Sequence, residues 1–115
     1  MIRKKYCVDG AWLESKTEKW IPVTDSSTGA VIAEVPSCTQ NEVLAAIDAA
    51  DRAFPAWSQM SLSKRTQLLF HWRNVLMEHL EELTLLCARE LGKTLNEARG
   101  DVLKAIEPTE LACAT

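Results

Sequence analysis

Hydrophobic and polar positions change their period once along this chain, near residue 39. Before it, short β-forming runs alternate with turn residues. Lys5-Tyr6-Cys7-Val8 and Ala11-Trp12-Leu13-Glu14 flank Asp9-Gly10, a two-residue hairpin signal that requires positive φ. Trp20-Ile21-Pro22-Val23-Thr24 and Ala30-Val31-Ile32-Ala33-Glu34-Val35 form a second pair around the turn residues Asp25-Ser26-Ser27-Thr28-Gly29. Pro22 cannot donate to a ladder, which predicts an edge or irregular strand, and Pro36 ends the fourth strand.

After residue 39 the period is helical. Thr39 and Glu42 have capping-box spacing and open a helix with Val43, Ala46, Ile47, Ala50 and Phe54 on one stripe. Ala45, Ala46, Ala49, Ala50 and Ala53 allow close approach of another element. Pro55 is expected to end this helix near Phe54, with Trp57 just beyond. Ser61 or Ser63 caps the next helix, whose apolar positions include Leu68, Leu69, Trp72, Val75, Leu76 and Leu80. The pattern continues through Leu83, Leu86, Cys87 and Leu91, and its length predicts a break between His79 and Glu82. At Glu90-Leu91-Gly92-Lys93-Thr94-Leu95-Asn96-Glu97 one helix ends and another begins. Gly92 suits a left-handed C-terminal closure, and Thr94 with Glu97 repeats the capping box.

The last helix carries Leu95, Ala98, Val102, Ala105 and Ile106 on its apolar stripe. Gly100 costs about 1 kcal/mol relative to alanine there, for which room for close packing would compensate. Pro108 is expected to kink the helix or stop it near Glu107. The apolar pattern runs on to Thr115 without a cap, which predicts further chain. In outline, two hairpins over about residues 5–36 precede three or four helices over about residues 39–115. No sheet here is large enough to cover all the apolar helix faces. Either the helices bundle among themselves or a further element covers them.

Composition narrows the functional classes. The chain has 115 residues, about one small domain, with 47% hydrophobic and 25% charged residues as in ordinary globular proteins. A formal charge of −3 argues against nucleic acid as a partner, and Arg3-Lys4-Lys5 reads as a solvated N-terminal tail. No apolar run spans a membrane and no apolar signal core follows the first residues, so the expected location is cytoplasmic. Cys7, Cys38, Cys87 and Cys113 lack zinc or dithiol spacing and read as buried, reduced thiols.

No catalytic set emerges. His71 and His79 have no ligand or base partner at a recognised spacing, and Cys87 has no adjacent base. Glu78, Glu81, Glu82 and Glu90 lie where a solvated helix face carries charge. Gly10 and Gly29 are turn glycines, with no phosphate-cradling motif. Trp12, Trp20, Trp57 and Trp72 read as packing anchors. The expectation is no catalytic, cofactor-binding or metal-binding residue in this segment.

The order of several stretches resembles the N-terminal segment of the aldehyde dehydrogenase superfamily. They are Asp9-Gly10-Ala11-Trp12; Ser27-Thr28-Gly29-Ala30-Val31-Ile32-Ala33-Glu34-Val35-Pro36; Ala53-Phe54-Pro55-Ala56-Trp57; Arg65; Glu90-Leu91-Gly92-Lys93; and Glu97-Ala98-Arg99-Gly100-Asp101-Val102. Glu14-Ser15-Lys16-Thr17-Glu18-Lys19-Trp20, Lys93-Thr94-Leu95, and Gly100-Asp101-Val102 with Glu110-Leu111-Ala112-Cys113 are most similar to its methylmalonate-semialdehyde branch. Pro108 departs from the family pattern.

The resemblance implies an α/β fold with a Rossmann-type NAD-binding domain, of which residues 1–115 are an incomplete N-terminal part. It also implies NAD and coenzyme A as cofactors of the intact enzyme, homo-oligomers, and the rest of the dehydrogenase chain as partner. In the intact family a cysteine thiolate attacks the aldehyde and hydride passes to NAD. This branch then releases an acyl group to coenzyme A with loss of carbon dioxide. None of these roles transfers to a cysteine of this segment, so the segment alone is expected to be inactive. Asp101 with Val23-Thr24 corresponds by position to a structural cation site of some relatives, although an exposed carboxylate is the favoured reading of Asp101. The alternatives are a non-acylating dehydrogenase segment and a free-standing helical interaction module built on the Ala45–Ala53 face.

Overall fold

The computed structural model describes residues 2–114 and divides into two compact units, Met1–Gln59 and Met60–Thr115. In the first unit, β2 (Tyr6–Val8) and β3 (Ala11–Leu13) form an antiparallel hairpin. Asp9 (φ 52°) and Gly10 (φ 73°) both lie in the left-handed region, as a tight two-residue connection demands. The strands β4 (Trp20–Thr24) and β5 (Val31–Pro36) form the second hairpin. Its turn is organised by Asp25, whose Oδ1 accepts the Ser27 and Thr28 amides at 2.8 and 3.2 Å while its carbonyl accepts the Gly29 amide at 2.7 Å. That closure places Gly29 at φ 74°. A register shift at Val23/Thr24 follows.

A fifth strand, β1 (Ile2–Arg3), pairs in parallel with β5, so the sheet order is β1-β5-β4. Arg3-Lys4-Lys5 is therefore not a solvated tail. Arg3 bonds Glu34 at 3.0 Å and lies 4.6 Å from the Trp20 ring centroid, and the Lys4 amide bonds the Glu34 carbonyl at 2.8 Å. Two residues paired with a strand some thirty positions away leave no periodic trace. The edge position read from Pro22 agrees with β4 having one neighbour.

The helix α1 (Gln40–Gln59) begins at the Thr39–Glu42 capping box, with Thr39 N to Glu42 Oε2 at 2.8 Å and Glu42 N to Thr39 Oγ1 at 3.3 Å. It does not stop at Phe54, for Pro55 lies inside it. Asp51, one turn earlier, is exposed, so water can satisfy the carbonyl that Pro55 leaves without a donor.

The second unit contains α2 (Leu62–Glu78), α3 (Leu80–Leu91) and α4 (Leu95–Ala114). Ser61 Oγ accepts the Lys64 amide, and the chain breaks between α2 and α3 at His79, within the expected interval. Gly92 closes α3 at φ 70°, ψ 31°, and the Thr94–Glu97 capping box starts α4 with both bonds at 3.3 Å. Pro108 does not stop α4, where Lys104 is likewise exposed one turn earlier. Helix α4 packs on α2 and α3, burying Leu80, Thr84, Ala98 and Ile106. The room expected around Gly100 is unfilled, because a Cβ there would meet nothing within 4 Å.

Candidate functional site

Several of the polar groups that sequence alone offered for chemistry are tied into structural bonds. At the helix corner, Lys93 follows the Gly92 closure, and its Nζ reaches Asp101 Oδ2 at 2.5 Å from the next turns of α4. That hydrogen bond and the charge of Asp101 raise the Lys93 pKa above its ordinary value, against a smaller opposing effect of desolvation. Asp101 is thus a half-exposed partner of Lys93. No group of three or more His, Cys, Asp or Glu side chains among the described residues is arranged to hold a metal ion.

His79 Nδ1 lies 3.0 Å from Glu82 Oε2, and both are exposed at the start of α3. Glu81 pairs with Arg99 of α4, and Arg73 of α2 bonds Glu110 of α4 at 3.0 Å. These carboxylates stitch helices together. His71 is exposed. All four cysteines are free thiols, but none is buried: Cys7 is exposed and the others are partly covered. The tryptophans do not act as buried anchors within this chain either, since Trp12, Trp57 and Trp72 are exposed and only Trp20 is covered in part, beneath Arg3.

One densely bonded carboxylate is Glu42, which sequence reading recognised only as a cap. Besides the Thr39 amide it accepts Ser15 Oγ at 2.7 Å and the Lys16 amide at 2.7 Å, tying the segment after β3 to the start of α1. The Lys16 amide first, then Ser15 and the Thr39 groups, hold its pKa below the usual carboxylate range. Nearby, desolvation raises the Tyr6 phenol above its ordinary value, with Glu42 and Cys38 adding to the effect.

Of several concave surfaces, two have largely apolar walls. One of about 290 Å³ is lined by Cys7, Val8 and Asp9 of the first hairpin and by Ala46, Ala49, Ala50 and Ala53 of α1. The other, about 380 Å³, lies in the helical unit among Leu76, Leu83, Cys87, Val102 and Ile106, with Asp101 at hand. The positive-φ glycines, Gly10, Gly29 and Gly92, serve two hairpin turns and a helix end. The starts of α1, α2 and α4 are occupied by their own capping side chains, and those of α1 and α4 hold the carboxylates of Glu42 and Glu97.

Large apolar side chains, in contrast, stand in the open. Val43, Ile47, Phe54 and Trp57 of α1, Leu68 and Trp72 of α2, Leu85 and Leu91 of α3, and Leu95 and Leu111 of α4 are exposed. Each of the two units thus carries several exposed large apolar side chains.

Known proteins resemble this chain over nearly all of its length. The profile of the Aldehyde dehydrogenase family matches residues 12–115. The chain is 43% identical over 112 residues to a malonate-semialdehyde dehydrogenase of Listeria monocytogenes, covering 96% of this chain and 23% of that protein. It is 40% identical over 110 residues to the mitochondrial acylating methylmalonate-semialdehyde/malonate-semialdehyde dehydrogenase of Rattus norvegicus, covering 96% of this chain and 21% of that protein. Among solved structures, an NADP-dependent enzyme of E. coli superposes with a TM-score of 0.87 at 37% identity, over 95% of this chain and 23% of the other. A putative methylmalonate-semialdehyde dehydrogenase from Sinorhizobium meliloti 1021, complexed with NAD, matches in fold with a TM-score of 0.92 at 24% identity, over 98% of this chain and 23% of the other. The chain thus spans about a fifth of the length of its curated relatives.

Proposed function

Because the chain belongs to the aldehyde dehydrogenase family, whose members are oxidoreductases, we propose that it is the N-terminal part of an NAD-dependent, coenzyme A-acylating (methyl)malonate-semialdehyde dehydrogenase. The observation that carries this reading is identity of 40–43% over 96% of the chain to enzymes named for those semialdehydes. In the parent enzyme a semialdehyde is oxidised to an acyl-coenzyme A with loss of carbon dioxide. Residues 1–115 then form an incomplete portion of the NAD-binding domain, and the remainder of the dehydrogenase chain is their partner. The free thiols fit a reducing, cytoplasmic setting.

Within this reading the segment positions and covers rather than reacts. The nucleophile and the dinucleotide cradle are assigned to the remainder of the parent chain. The helical faces would support the domain that carries the nucleophile and the coenzyme. The segment by itself is inactive, and the intact enzyme is a homo-oligomer.

The test is to express the complete open reading frame and supply malonate semialdehyde or methylmalonate semialdehyde with NAD or NADP, with and without coenzyme A. NADH formation together with acyl-coenzyme A is the expected result. Free acid in place of acyl-coenzyme A would assign the parent to a non-acylating branch. No turnover of either semialdehyde would overturn the substrate assignment.

A further inference from the structure

The β2–β3 hairpin is held by less than the β1-β5-β4 sheet. It is a two-stranded sheet of three residue pairs, Tyr6↔Leu13, Cys7↔Trp12 and Val8↔Ala11, and every residue of β3 is exposed. A short two-stranded ribbon is marginally stable and opens locally with a small free-energy difference. At its tip stands Asp9, the only non-glycine residue with positive φ among those described, followed by Gly10. The left-handed region crowds the Cβ of an L-residue against the backbone, so Asp9 gains when the turn opens.

The two tip residues are also open to each other's chemistry. Both are exposed, an added Cβ at Gly10 would meet nothing within 4 Å, and the Gly10 amide has no hydrogen-bonding partner among the described residues. The other four aspartates lack this combination. Asp48, Asp51 and Asp101 lie inside helices, whose ladders engage the amides that follow them. The Asp25 carboxylate is bonded to the Ser27 and Thr28 amides, and Ser26 follows it.

We propose that Asp9-Gly10 is a site of spontaneous aspartate isomerisation. On opening of the turn, the Gly10 amide nitrogen bonds Asp9 Cγ, and the amide proton leaves with the carboxyl hydroxyl as water. The cyclic imide then takes up one water. Cleavage of its Cγ–N bond restores aspartate, whereas cleavage of the original peptide bond gives isoaspartate, with no net change of atoms and no oxidant or reductant. Isoaspartate routes the main chain through Cβ and Cγ, one carbon longer. A two-residue connection then no longer fits the Val8↔Ala11 register, and the hairpin bordering Ala46, Ala49, Ala50 and Ala53 of α1 loosens.

The product of the complete open reading frame is held at neutral pH below its melting temperature, and tryptic digests are followed by mass spectrometry. The peptide Tyr6–Lys16 should appear in a form lighter by one water and in an isomer of equal mass, identified as isoaspartate by electron-transfer fragmentation. Asp9 should convert at least about tenfold faster than the other aspartates, and within about tenfold of its own rate in urea. Asp9→Asn suits the same turn and should convert with release of ammonia, while Asp9→Gly keeps the positive φ and should give no product. Conversion no faster than at the other aspartates would overturn the proposal, as would a stable Asp9→Asn variant or a product that survives Asp9→Gly. A native rate more than about tenfold below the urea rate would overturn it too, because the turn would then protect the bond. The converted fraction should exchange amide hydrogens faster across residues 6–13, and unchanged exchange would overturn the loss of register. Since conversion is read without catalysis, a parent enzyme specific for another aldehyde would leave it intact.

Discussion

Glu42 does at the residue scale what its capping-box spacing only begins to describe. Its carboxylate closes the start of α1 and also receives Ser15 and Lys16, so one side chain orders two distant stretches. Its lowered pKa sets the sign of the acid response. The stabilisation is fully present above the ordinary glutamate value, about 4.3, and is lost as pH falls through the depressed folded value. Glu42→Gln is therefore expected to lower the melting temperature at neutral pH and to reduce its acid dependence, measured by circular dichroism across pH. Lys93 has the opposite sign. Its raised pKa makes the Asp101 pairing fully effective below about 10.4 and lost as pH rises through the raised value. Both groups are partly exposed, so added salt should weaken this pair.

Elements in this chain begin and end through side-chain and backbone chemistry that residue types announce. Asp9-Gly10, Thr39–Glu42, Ser61, Gly92 and Thr94–Glu97 all act where the pattern places them. Gly92→Ala must put a Cβ into the left-handed region and should cost the helical unit about 1 kcal/mol in urea unfolding, with Gly92→Asn costing less. At Gly100 the expected sign reverses. Nothing lies within 4 Å of an added Cβ, so Gly100→Ala should stabilise the isolated chain by about 0.5–1 kcal/mol in the same measurement. The prolines were the less legible signals. Pro55 and Pro108 forbid one hydrogen bond each but do not end their helices. Whether a proline terminates a helix depends on what can satisfy the carbonyl one turn earlier, and exposure decides that.

At the scale of the molecule, the balance of covered and uncovered apolar surface governs behaviour. Only Ala33, Leu80, Ala98 and Ile106 are buried apolar residues among those described, while apolar side chains on all four helices face outward. The isolated chain should bind an apolar dye strongly and self-associate with rising concentration in analytical ultracentrifugation. A monomer that unfolds in one sharp transition and binds little dye would contradict this expectation. It should also produce no NADH from malonate semialdehyde under conditions in which the complete enzyme does.

The residue pattern by itself determined both hairpins, the helix starts, the α2–α3 break and the Gly92 corner, because these are local events settled within a few residues. The ordered motifs likewise carried the family. Tertiary structure decided the rest. It paired β1 with β5, converted an apparent basic tail into a sheet edge, and gave Glu42 its distant partners. It also left Cys7 and most tryptophans exposed and the other cysteines only partly covered, where their residue types suggested a core. Contacts between positions far apart in sequence have no period or fixed spacing, so a linear reading cannot locate them. Burial, moreover, depends on every surface present, and an apolar stripe states only that cover is favourable.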